Sequence, residues 1–160
     1  MYKYYPLIFL LWAFNLSAQT VSFIPNTPPI KAESYLLVDI NSKKVLAEKE
    51  AKKKIEPASI TKIMTAHVVF RELEKGSINL SDQVLISQKA WRTEGSRMFI
   101  EVNKRVSVED LLKGLIIQSG NDAAVALAEH IAGSEEAFVE LMNNVADDLG
   151  MSDTNYVNTT

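Results

Sequence analysis

The chain has 160 residues, 47% hydrophobic and 23% charged, which is ordinary globular composition for one domain or part of a larger one. A formal charge of −3 leaves no basic face of the kind nucleic acid requires, and the Lys52–Lys54 run reads as a solvated loop. Cysteine is absent, which excludes disulfides, thiolate catalysis and Cys-ligated metals.

Residues 1–18 read as an export signal. Lys3 forms a minimal basic region, Leu7–Phe14 an apolar run, and Leu16-Ser17-Ala18 a cleavage site. The apolar run is short for a bilayer span, so an uncleaved N-terminal anchor is the second reading. Residues 19–30, with Pro25, Pro28 and Pro29, form an extended lead-in. Ser34–Ile40 and Lys44–Glu48, joined by Asn41-Ser42-Lys43, then predict a β-hairpin.

Pro57 opens a helix that runs to about Lys75 and stops at Gly76. Between Ile60 and Phe70 it carries apolar residues on every side, the pattern of a helix buried all round. Lys62 is the one side chain there that is charged at neutral pH. It stands in the first turn, where the positive end of the helix dipole disfavours a cation, and its stripe continues through Ala66, Val69 and Leu73. Both features favour the neutral amine. Ser59, three residues earlier, shares its face, so a Ser/Lys nucleophile pair is one reading and an N-cap serine beside a snorkelling lysine is the other. With 13 serines and 13 lysines, one Ser-x-x-Lys is expected by chance, so spacing alone does not decide.

Ser77–Ile86 contains short β-prone pieces, Val84–Ile86 being the clearest, and Ala90–Ile100 reads as a surface loop ending in a short strand. The Trp91–Phe99 part of that loop is expected to control access to the Ser59 region, a role that deleting Thr93–Gly95 would test. Ser107-Val-Glu-Asp110 resembles a capping box and starts a helix over Val108–Ile117. Gln118-Ser119-Gly120-Asn121 is a polar break before a second helix, Asp122–Ile131, which ends at Gly133. Ser134 caps a third helix with Glu135 and Glu136 in its first turn and Gly150 beyond its end. These elements predict an α+β domain. Ser-Gly-Asn is expected only about 0.03 times by chance in this composition. A helix–helix turn accounts for Gly120, while Ser119 and Asn121 bring a hydroxyl and a carboxamide to where a Ser/Lys centre needs them.

Together, Pro57-Ala58-Ser59-Ile60-Thr61-Lys62 and Gln118-Ser119-Gly120-Asn121-Asp122-Ala123, with Ala32–Asp39 upstream, resemble the low-molecular-mass penicillin-binding proteins that act as serine-type D-alanyl-D-alanine carboxypeptidases. The resemblance covers about residues 30–160. It implies a β-lactamase/transpeptidase-like fold, a helical cluster on an antiparallel sheet, with residues 31–160 as the N-terminal part of the catalytic domain. It also implies roles: Ser59 as nucleophile, Lys62 as proton acceptor, Ser119 as proton relay to the leaving D-alanine, and Asn121 as the group that orients the substrate amide. No cofactor or metal is implied. The implied partners are peptidoglycan stems ending in D-Ala-D-Ala, with β-lactams as covalent inhibitors. The implied location is the periplasm or the outer face of the cytoplasmic membrane, with attachment to the membrane surface through a C-terminal segment that this sequence lacks.

The family's Lys-Thr-Gly motif, which binds the substrate carboxylate beside the second oxyanion donor, does not occur here. A fragment of a longer protein is therefore expected, with an incomplete sheet and weak activity of its own. A class A β-lactamase needs a Glu-x-x-Leu-Asn context, which none of Glu129, Glu135, Glu136 or Glu140 provides. A penicillin-sensing or peptidoglycan-binding module that is acylated without turnover is the non-enzymatic alternative. A Ser-His-Asp hydrolase fits worse, because His67 lies about 12 Å along the helix from Ser59. His67 is read as core or helix-face packing and His130 as a helix-end residue.

Overall fold

The computed structural model describes residues 28–160. The export signal at 1–18 and most of the lead-in at 19–30 lie outside the described residues. No helix among the described residues is long and apolar enough to cross a membrane. The chain divides into two compact units after Lys54.

The first unit is the predicted hairpin, β1 (Tyr35–Val38) antiparallel to β2 (Val45–Lys49). Tyr35 pairs with Lys49 and Leu37 with Ala47, but Val38 pairs with Val45, so a bulge shifts the register beside the turn. The Asp39 carboxylate closes that turn by accepting from the Ser42 N–H at 2.7 Å and the Ser42 hydroxyl at 2.6 Å.

The second unit, residues 55–160, is a helical cluster with one small ladder. A 3₁₀ turn at Ala58–Ile60 leads into α1 (Thr61–Glu74). The end of α1 is a Schellman motif: Ser77 N–H donates to the Glu72 carbonyl and Gly76 N–H to that of Leu73, with Gly76 at φ +74°. Strand β3 (Gln83–Leu85) pairs antiparallel with β4 (Arg105–Ser107) and buries Val84. Between them lie a one-turn helix, α2 (Gln88–Arg92), and a long connection. Three longer helices follow, α3 (Val108–Ile117), α4 (Asn121–Ala132) and α5 (Glu135–Asp148).

Helix α4 is the centre of this unit. Its run Ala123–Ala128 is wholly buried, and alanines let α1, α2, α3 and α5 approach it closely. Leu111 and Leu115 of α3, Val68 and Val69 of α1, and Phe138 and Met142 of α5 complete the core. Burying a side chain the size of Phe138 contributes about 1.5–3 kcal/mol.

The helix starts follow their caps. Ser107 Oγ accepts from Asp110 N–H at 3.1 Å while donating to the Asp110 carboxylate at 2.7 Å, and Ser134 Oγ accepts from Ala137 N–H at 3.1 Å. The boundaries of α3, α4 and α5 match the expected ones within a residue or two. Helix α2 and strand β4 depart from expectation. The sequence predicts a surface loop from Ala90, but Ser87 caps a single helical turn over Gln88–Arg92 by accepting from Ala90 N–H. The expected strand at the end of the 90–100 loop is instead β4, five residues further on.

The last ten residues are tied down by side chains. Asn143 brackets Tyr156, donating to its carbonyl at 3.0 Å and accepting from its N–H at 2.7 Å. The Glu135 carboxylate takes the Thr159 N–H and hydroxyl and also faces Lys89 at 3.0 Å. Buried Thr65 of α1 donates its hydroxyl to the Thr159 carbonyl at 2.8 Å. The end of the described chain is thereby fastened one turn beyond Lys62.

Candidate active site

Ser59 lies in the 3₁₀ turn before α1 and is exposed. The residue before it, Ala58, is held at φ +46°, a conformation costly for a side chain bearing a Cβ. Lys62, in the first turn of α1, is only 7% exposed, and its Nζ donates to Ser59 Oγ at 3.2 Å. No carboxylate pairs with Lys62 among the described residues. Its burial accordingly holds the amine below its usual pKa.

Ser59, Lys62 and Ser119 line one cavity of about 420 Å³ between α1 and the end of α3. The remaining walls are mostly apolar, from Ile63, Ala66 and Phe70 on α1 and from Leu115 and Ile116 on α3. Ser119, in the turn between α3 and α4, has φ +55°, so two of the unusual backbone conformations in the chain flank this cavity.

Helix α1 is not buried all round. Ile63 is 71% exposed, and His67 and Phe70 are exposed with it on the cavity side. The apolar periodicity reported a helix with apolar residues on every face, but it carried no information about what covers each face. His67 is exposed rather than in the core and forms part of the cavity wall on this face of α1.

Asn121 is placed differently from the other three. It does not line the cavity; its Nδ2 donates to the Glu94 carbonyl at 2.6 Å and its N–H to the Ser96 carbonyl at 2.7 Å. Residue spacing carries no sign of these partners, nor of Asp122, whose buried carboxylate gathers backbone amides from the same loop. Among the described residues no group of three or more His, Cys, Asp or Glu is placed to hold a metal ion.

A buried lysine is thus hydrogen-bonded to a serine at the head of α1, and a second serine lines the same cavity. Comparison with solved structures supplies the class of fold. Penicillin binding protein 5 from Haemophilus influenzae superposes with a TM-score of 0.80 at 42% identity, covering 84% of this chain and 40% of that one. The D-alanyl-D-alanine carboxypeptidase DacD from Francisella tularensis gives 0.81 at 34% identity, covering 92% and 37%. The α+β, β-lactamase/transpeptidase-like class expected from the two motifs is therefore the observed one.

The chain belongs to the D-alanyl-D-alanine carboxypeptidase family, peptidase S11, whose profile matches residues 21–160. It is 43% identical over 152 residues to the D-alanyl-D-alanine carboxypeptidase DacC of Escherichia coli, a match that takes in 91% of this chain. The chain spans 38% of that relative's length.

Proposed function

We propose that the protein is a serine-type D-Ala-D-Ala carboxypeptidase that removes the terminal D-alanine from peptidoglycan pentapeptide stems through an acyl-enzyme. The observation that carries this reading is the 3.2 Å contact between a buried, partner-poor lysine amine and an exposed serine hydroxyl. A neutral amine at that distance can take the hydroxyl proton as the Ser59 oxygen attacks.

Ser59 Oγ forms an ester with the penultimate D-alanine carbonyl, and the proton passes to Lys62. The C–N bond to the terminal D-alanine breaks as Ser119 relays a proton to the leaving amine. Asn121 orients the substrate amide, and the Ser59 backbone N–H supplies half of the oxyanion hole. Water then hydrolyses the ester and frees Ser59. β-Lactams acylate the same oxygen, a reading supported by the name of the Haemophilus relative. Cell-wall substrates place the protein outside the cytoplasmic membrane, and residues 1–18 act as its export signal. A Lys-Thr-Gly motif, where the resemblance puts the second oxyanion donor and the carboxylate-binding group, does not occur in these 160 residues. Turnover is accordingly assigned to the longest reading frame that carries this chain.

Intact mass after incubation with benzylpenicillin tests the assignment. A single adduct is expected on the longest reading frame, and its Ser59→Ala variant should carry none. An adduct that survives the substitution would remove Ser59 as nucleophile, and no adduct on either protein would sink the penicillin-binding reading.

A further inference from the structure

Asp122 is 1% exposed and forms no ion pair among the described residues. Backbone donors occupy its carboxylate instead. One oxygen accepts from Met98 N–H at 3.0 Å and from its neighbour Ala123 at 2.9 Å; the other accepts from Phe99 N–H at 2.9 Å and Ile100 N–H at 3.3 Å. A helix-capping role accounts for the Ala123 contact alone. The other three come from consecutive amides of a loop more than twenty residues earlier in the chain.

The same loop touches Asn121 at its other end, through the carbonyls of Glu94 and Ser96. The fit leaves no slack. A Cβ on Gly95 would stand 2.6 Å from Asn121 Nδ2, and one on Gly120 would stand 3.0 Å from the Asp122 carboxylate. Phe99 is held at φ +63°, a conformation that persists only where the surroundings impose it. The Glu94 carbonyl can only accept, so it fixes which end of the Asn121 carboxamide faces the loop.

We propose that Asp122 is a positioning residue: its carboxylate locks the 94–100 loop against the Ser119–Asn121 turn, and through the Glu94 carbonyl sets the orientation of the Asn121 carboxamide that meets the substrate. The activity consequence rests on the proposed carboxypeptidase reading; the loop anchoring does not. A buried carboxylate beside the second motif thus acts on the reaction without touching a reacting atom.

The test is a double-mutant cycle on the longest reading frame, with the rate of acylation by benzylpenicillin as one readout and amide hydrogen exchange at Met98–Ile100 as the other. Asp122→Asn replaces one acceptor oxygen by a donor that faces N–H groups. It should speed exchange at those three amides roughly tenfold or more and slow acylation by about tenfold to 100-fold. Asn121→Ala should slow acylation while leaving the three amides protected. The double variant should be no slower than the slower single variant, because Asp122 acts through Asn121. Multiplied losses in the double variant, or unchanged exchange in Asp122→Asn, would overturn the proposal. Should Asp122→Asn fail to fold, Gly95→Ala serves, since its added methyl would stand 2.6 Å from Asn121 Nδ2 and its φ of +90° strains the 94–100 loop itself, both of which disturb the loop where it meets Asn121. Its acylation defect should vanish in the Asn121→Ala background, and persistence there would overturn the coupling. Ser59→Ala that still acylates would instead refute the functional reading, leaving the exchange result to judge the loop anchoring.

Discussion

Replacing Lys62 by Met separates the chemical role of the amine from any structural one, because the two predict opposite signs. The lysine stem is packed inside α1's neighbours, and Met fills nearly the same volume. What is lost is an amine whose single hydrogen bond among the described residues is to Ser59 and which has no carboxylate to offset its burial. Exchanging a poorly compensated buried charge for an apolar side chain is neutral or stabilising. The unfolding free energy should therefore stay level or rise, by up to about 2 kcal/mol. Acylation should fall by about 100-fold to 10,000-fold, the usual contribution of a positioned base, which is roughly 3–5 kcal/mol of barrier. Urea unfolding and the second-order rate of benzylpenicillin acylation, measured on the longest reading frame, give both quantities. A Lys62→Met protein that acylates within tenfold of the parent would refute the base assignment. A loss of more than about 2 kcal/mol in stability would refute the claim that the amine is held at a cost.

Four further outcomes are expected. The acylation rate should rise with pH through an apparent pKa below the ordinary lysine value of 10.5, since the neutral amine is the proposed base and burial lowers its pKa; a flat profile in the parent, or the same rising limb in Lys62→Met, would contradict this. Stability should follow the same sign: the folded state holds its proton less tightly than the unfolded one, so the Lys62 contribution is complete above pH 10.5 and is lost as pH falls through the lowered folded value. Thr65→Val removes the buried hydroxyl that donates to the Thr159 carbonyl and should cost about 1–3 kcal/mol in urea unfolding; an unchanged midpoint would show that the chain end is not fastened there. Ala58→Gly should raise stability by about 1 kcal/mol, the left-handed cost of the Cβ outweighing the flexibility of glycine in the unfolded chain; a lower midpoint would mean that the φ of +46° carries no strain.

What could be read from the sequence divides along a physical line. Helix α3 was legible almost residue for residue because its information is local: Ser107 and Asp110 satisfy each other's hydrogen-bonding groups, and Leu111, Leu112 and Leu115 recur on one face. The hairpin was legible for the same reason, with Asp39 and Ser42 closing the turn between two β-prone runs. Helix α2 was not, since five residues hold barely one turn and Gln88-Lys89-Ala90-Trp91-Arg92 has a single buried position. Strand β4 offers only Val106 as an apolar signal and exists because β3 lies beside it.

The site shows the same division more sharply. Ser59 and Lys62 are three residues apart on one helical stretch, so their contact follows from helical geometry, and the structure has it at 3.2 Å. Ser119 reaches the same cavity only because α3 and α4 pack on α1, a tertiary fact that residue spacing cannot supply and that here entered through resemblance to a family. Asn121 shows where that route ends. A motif says which residue types stand together, yet the direction in which the carboxamide points is decided by the Glu94 carbonyl, twenty-seven positions earlier in the chain. Asp122 reads in the sequence as an ordinary acidic residue in a helix's first turn, favourable to the dipole and needing no other explanation. Only the arrival of three amides from residues 98–100 turns it into the fastening of a wall. The pair that bears the proposed chemistry is thus locally encoded, whereas the group proposed to orient substrate depends on contacts between distant loops. Substitutions in the 94–100 loop should therefore alter substrate orientation while leaving the Ser59–Lys62 contact in place.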